Sequence, residues 1–103
     1  MIKKYRVQVE RKENNKSGKV EKFVIERESN FSSCKECYFE ASESLMATAN
    51  FKKFEWLRIV AVLLANYAEE RERVPKIKEF VNTSAYYTYI VTMICEWGVI
   101  NEI

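Results

Sequence analysis

Ser84 to Trp97 reads SAYYTYIVTMICEW, and whether this stretch coils or extends decides the fold of the chain. Its Tyr, Thr, Ile and Val residues favour strands, because branched and aromatic side chains fit a pleated surface. Its spacing argues the other way. Tyr86, Tyr89, Ile90, Met93, Ile94 and Trp97 recur at three- and four-residue steps, while Ser84, Thr88, Thr92 and Glu96 form the opposite stripe, as on an amphipathic helix. Periodicity is preferred here over propensity, so a helix is expected; the competing reading is a central strand.

The same conflict arises upstream, where Leu57 to Leu64 is apolar enough for a buried strand. Glu55, Arg58, Asn66, Glu69 and Arg73, together with Val62, mark one helical face, and Trp56, Val60, Leu63, Leu64 and Tyr67 mark the other. A helix is therefore expected over Phe54–Arg73. Val74-Pro75 stops it, and Pro75 suits the first turn of a short helix over Lys76–Val81. Thr83 or Ser84 would then cap the next helix.

Toward the N-terminus the pattern changes to period two. Tyr5, Val7 and Val9 alternate with Lys4, Arg6, Gln8 and Glu10, which predicts a half-buried strand with Val20 to Arg27 as its antiparallel partner. Lys12 to Lys19 supplies the Asn, Ser and Gly of a hairpin connection, with Gly18 free to adopt positive φ. Ser33-Cys34-Lys35-Glu36 then has capping-box spacing, so a helix should follow and end near Asn50. Cys37, Tyr38, Ala41, Leu45 and Ala49 form its apolar face.

The expected fold is a single α+β domain over residues 1–103, in which an N-terminal antiparallel β-hairpin (1–30, basic) is followed by about four helices. The last three, within 54–103, resemble a winged helix-turn-helix. The resemblance rests on a helix, a short second helix, a third helix and the closing turn Ile94-Cys95-Glu96-Trp97-Gly98-Val99-Ile100. It implies an inter-helix core of Ile77, Phe80, Val91 and Ile94. It also implies that the N-terminal hairpin takes the place of a C-terminal wing, with Val99 to Ile103 paired against one of its strands.

Such a module would bind double-stranded DNA. The recognition helix would present Ser84, Tyr87, Thr88 and Thr92 to the major groove, where hydroxyls bond phosphates or base edges. Lys76 and Lys78, with Lys12, Lys16 and Lys19 at the hairpin tip, would supply phosphate contacts. Charge is distributed accordingly: residues 1–27 hold nine Lys or Arg against four Glu, residues 28–50 one against four, and the remainder is balanced.

The chain has no His and no Asp, which removes imidazole bases, Ser-His and Cys-His nucleophile pairs and His-containing metal sites. Neither an enzyme nor a cofactor is expected. Cys34-x-x-Cys37 lies where a helix N-terminus lowers a thiol pKa, but Lys35 and Glu36 between the cysteines do not suit a redox motif. With Cys95, only three zinc ligands exist unless a dimer shares them, so buried thiols are the simpler expectation. Neither a secretory leader nor a bilayer-length apolar run is visible, and the expected compartment is the cytoplasm. The expected activity is that of a dimeric DNA-binding regulator acting away from membranes. The alternative is a protein-interaction module that presents Trp56, Tyr86, Tyr87, Tyr89 and Trp97 to a protein partner.

Overall fold

The structure, a computed structural model, describes residues 3–96. Its elements follow in the order β1 (Lys3–Glu13), β2 (Val20–Ser29), α1 (Cys34–Phe51), α2 (Leu57–Glu69), β3 (Ile77–Thr83) and β4 (Tyr87–Glu96). The four strands form one antiparallel sheet in the order β2-β1-β4-β3. Both helices cover the same face of it.

The expected count of about four helices is therefore wrong, and so is the helix-turn-helix arrangement of the last three. Lys76–Val81 falls mostly within β3 and Ser84–Trp97 mostly within β4. The period-two signal in β4 is plain once its environment is known: Tyr89, Val91, Met93 and Cys95 are buried beneath the helices, and Thr88, Ile90, Thr92 and Ile94 line the other face. Apolar residues on both faces of a central strand produce runs that also satisfy three- and four-residue steps. Of the expected inter-helix core, Phe80 and Val91 are buried, whereas Ile77 lies on the open face and Ile94 projects to that same side. The Gly98-Val99-Ile100 turn and the Val99–Ile103 pairing lie outside the described residues.

The N-terminal half matches its sequence more closely. Tyr5, Val7 and Val9 of β1 and Ile25 of β2 enter the core, and Gly18 takes φ 56° in the connection. Ser33 caps α1 by accepting the Glu36 backbone N–H at 3.1 Å. Glu36 departs from a capping box, since its carboxylate accepts from the Ser32 amide and hydroxyl rather than from the cap amide. Cys37, Tyr38, Ala41, Leu45 and Ala49 are all buried, as their spacing requires.

Small side chains let the helices approach. Ala41, Ser42 and Ala49 on α1, with Ala61 and Ala68 on α2, are all buried, and the Ser42 hydroxyl donates to the Ala61 carbonyl at 2.6 Å. The Tyr38 phenol, raised above its ordinary pKa by burial, donates to the Pro75 carbonyl at 2.6 Å and anchors the entry to β3. Tyr67 on α2 meets Phe80 on β3 edge to face at 5.0 Å. Fully buried Val7, Val9, Leu45, Leu57, Val60, Leu64 and Val91 each contribute about 1.5–3 kcal/mol of hydrophobic stabilisation.

Candidate nucleic-acid interface

Strand direction places three connections at one end of the sheet. Glu13, the last residue of β1, pairs with Tyr87, the first residue of β4, so the β1–β2 hairpin tip and the β3–β4 turn are neighbours. Asn14 joins them. Its backbone N–H donates to the Tyr86 carbonyl at 2.8 Å, its side-chain amide donates to the Ser84 carbonyl at 2.9 Å, and its side-chain oxygen accepts from the Thr88 hydroxyl at 2.8 Å. The turn closes on itself as well, with the Ser84 N–H donating to the Tyr87 carbonyl at 2.8 Å and the Tyr87 N–H to the Ser84 hydroxyl at 3.2 Å.

The hairpin tip is ordered by its own short polar side chains. Asn15 Oδ1 accepts from the Ser17 N–H at 3.0 Å and the Gly18 N–H at 3.2 Å, an Asx turn. The Asn15 amide and the Ser17 hydroxyl both donate to the Glu13 carboxylate, holding its pKa below the ordinary value. Lys12, Lys16 and Lys19 remain exposed and make no ion pair among the described residues. The α1–α2 connection brings Lys52 and Lys53 to this same end, again exposed and without an ion pair among the described residues.

Between these elements lies an open cleft of about 720 Å³, bounded by Arg11, Glu21, Lys53, Trp56, Asn82 and Tyr87. Its organising group is Arg11. The guanidinium carbon stands 4.2 Å from the Tyr87 ring centroid and 5.1 Å from that of Trp56, and Nη2 pairs with Glu21 Oε1 at 2.6 Å. Tyr86, by contrast, projects from the turn with 77 % of its surface exposed.

The site residues expected from sequence are thus divided. Lys12, Lys16, Lys19, Ser84, Tyr87 and Thr88 gather at one end, although the Ser84 and Thr88 hydroxyls are occupied in turn closure and the Tyr87 ring faces Arg11. Lys76 and Lys78 lie toward the opposite end of β3, where Lys76 offers its carbonyl to Cys95 and the Lys78 ammonium sits over Tyr67 and Phe80. Thr92 occupies the middle of the open sheet face, between Gln8 and Glu79. Arg11, Asn14, Lys52, Lys53 and Tyr86 are the additions. The Lys52-Lys53 doublet was the readable signal among them.

Cys37 and Cys95 are buried free thiols, and the Cys37 pKa is pushed up, first by hydrogen bonding with Cys95 and then by burial. That environment disfavours the thiolate a redox pair needs. Among the described residues no cluster of three or more Cys or Glu side chains could hold a metal ion, and no helix is long and apolar enough to cross a membrane. Comparison with protein-family models, curated proteins and solved structures gives no match.

Proposed function

We propose that the protein binds nucleic acid through the basic end of its sheet, holding phosphates rather than reading base edges from a recognition helix. The observation that carries this reading is the convergence of Lys12 near the end of β1 and Lys16 and Lys19 of the connection after it with Lys52 and Lys53 from the α1–α2 connection, beside an exposed Tyr86. Unpaired lysines exchange condensed counterions for phosphate contacts, and an exposed phenol ring offers a stacking surface for an unpaired base. Neither helix is placed as a groove reader by this arrangement, because the contacts come from turns and one helix connection.

Fluorescence anisotropy with labelled single-stranded and duplex oligonucleotides tests the proposal. Five phosphate contacts give a slope of log K against log salt of about −3.5 on a single strand, so binding should fall roughly a hundredfold between about 50 and 200 mM salt. Neutralising Lys12, Lys16 and Lys19 to Gln should lower that slope by about 2. Absence of binding at low salt, or binding that ignores the triple substitution, rejects the reading. A protein-interaction role has its own supporting observation in the uncovered face of the sheet.

A further inference from the structure

We propose that two copies of this chain pair through the open faces of their sheets, about a two-fold axis that crosses the strands at the level of Gln8 and Thr92. The proposal rests on observations separate from those for nucleic-acid binding, with Lys12 common to both surfaces. Both helices cover the face that carries Tyr5, Val7 and Val9, which leaves the opposite face bare among the described residues. Apolar side chains are conspicuous there: Val24 is 51 % exposed, and Ile77 and Val81 are each 63 % exposed.

Strand register turns this face into a grid. Reading across β2, β1, β4 and β3, one row is Glu26, Arg6, Ile94 and Ile77; the next is Val24, Gln8, Thr92 and Glu79; the third is Lys22, Glu10, Ile90 and Val81. A two-fold axis along the middle row, perpendicular to the strands, lays the first row of one copy on the third row of the other. Glu26 then meets Lys22, Arg6 meets Glu10, Ile94 meets Ile90, and Ile77 meets Val81. In the middle row Val24, Gln8 and Thr92 each meet their own counterpart.

The outer rows match only in their summed charge. Glu28, Lys4 and Glu96 carry one net negative charge, and they face Val20, Lys12 and Thr88, which carry one net positive charge. Lys4 already lies 3.4 Å from both Glu26 and Glu96, so its charge is met within its own chain. Two like pairs remain: Lys4 faces Lys12 in the outer rows, where Glu26 and Glu96 offset the Lys4 charge, and Glu79 faces its own counterpart on edge strand β3, where a carboxylate can turn to solvent. The alternative axis, parallel to the strands, would put Val24 on Glu79, Lys22 on Val81 and Glu10 on Ile90. Charge and apolar matching therefore select the first axis.

Arg6 supplies a further observation. Its Nε is covered within its own chain and has no hydrogen-bond partner among the described residues, and the selected axis brings a second copy's Glu10 toward the outer nitrogens of the same guanidinium. Sheets that stack face to face keep their strands within about 30° of one another, which this axis permits. Four strands about 4.8 Å apart and about 27 Å of strand give a flat footprint of roughly 500 Å², near the lower end of specific interfaces, so a reversible dimer is expected.

Sedimentation equilibrium on the full chain between about 10 µM and 1 mM should show conversion from one 12.2 kDa chain to two. Ile94→Lys, Arg6→Glu and Glu10→Arg should each weaken association by about tenfold or more with unchanged circular dichroism, and combining R6E with E10R should restore most of it. Gln8→Cys, on the axis, should cross-link two chains under mild oxidation, whereas Glu28→Cys should not. A monomer at the highest concentration overturns the proposal. So does a dimer that ignores these substitutions but is broken by Ile59→Lys and Val62→Lys on α2, or cross-linking at position 28 rather than 8.

Discussion

Arg11 holds the basic end together, and its replacement by Ala offers a quantitative test of that role. The side chain is 17 % exposed, and its partner Glu21 is 30 % exposed. Cation–π contacts are worth about 0.5–1 kcal/mol when exposed and about 2 when desolvated, so Tyr87 at 4.2 Å supplies about 1 kcal/mol and Trp56 at 5.1 Å about 0.5. The Glu21 pair, discounted for partial solvent screening, adds about 0.5–1 kcal/mol. Arg11→Ala should therefore cost about 2–2.5 kcal/mol. For 103 residues the unfolding entropy is about 0.22 kcal/mol/K, which converts that loss into a Tm lowered by about 9–11 °C. Urea denaturation followed by circular dichroism gives the free energy directly, and a cycle with Glu21→Gln should return a coupling of about 0.5–1 kcal/mol. Arg11→Lys keeps the charge but loses the planar stack, and should fall between wild type and Ala. A cost below about 0.5 kcal/mol for Arg11→Ala would show that solvent screens the whole arrangement and refute the reasoning.

Acid titration should expose two carboxylates. Glu13 is held below its ordinary pKa by the Asn15 amide and the Ser17 hydroxyl, and Glu36 by the Ser32 hydroxyl and amide. The folded-state values lie below the unfolded ones, so this stabilisation is complete above the ordinary Glu range and is lost as pH falls through the folded values. NMR titration of the Glu carboxyls should show it, and Glu13→Gln with Glu36→Gln should flatten the acid limb of stability against pH. Ser33→Ala removes the acceptor for the Glu36 N–H and should cost about 1 kcal/mol in urea denaturation. Ser42→Ala, which loses the hydroxyl donating to Ala61, should cost about 0.5–1 kcal/mol, whereas Ser42→Leu should overpack the helix contact and cost about 1–3 kcal/mol.

How legible the fold was depended on whether each element had one apolar face or two. β1 shows buried Tyr5, Val7 and Val9 against half-buried Lys4, Arg6, Gln8 and Glu10, and α2 shows exposed Arg58, Val62 and Asn66 against buried Val60 and Leu64. Contrast between faces makes the period visible. β4 lacks that contrast because β1 and β3 flank it and its outer face still carries Ile90 and Ile94. For such a strand the branched and aromatic composition is the better guide, and Tyr87-Thr88-Tyr89-Ile90-Val91-Thr92 had it. β3 shows the effect of an edge: Phe80 is its buried apolar residue, and seven residues are too few for spacing to outweigh Pro75 as a helix signal.

The candidate site was legible as charge but not as geometry. Lys12 near the end of β1 and Lys16 and Lys19 in the connection that follows are close in the chain, so their proximity follows from sequence; Lys52 and Lys53 join them only because the α1–α2 connection ends above β1 and β4. Asn14 was least readable. It reads as one more polar turn residue, yet its three hydrogen bonds bridge about seventy positions of sequence and bind the hairpin tip to the β3–β4 turn. The separation also reassigns Ser84 and Thr88, whose hydroxyls are spent in turn closure and are not available to a ligand without opening the turn. The positive surface and the structural hydroxyls consequently have distinct roles: neutralising Lys12, Lys16 and Lys19 should change binding with little change in stability, whereas Asn14→Ala should loosen the two turns and lower stability first.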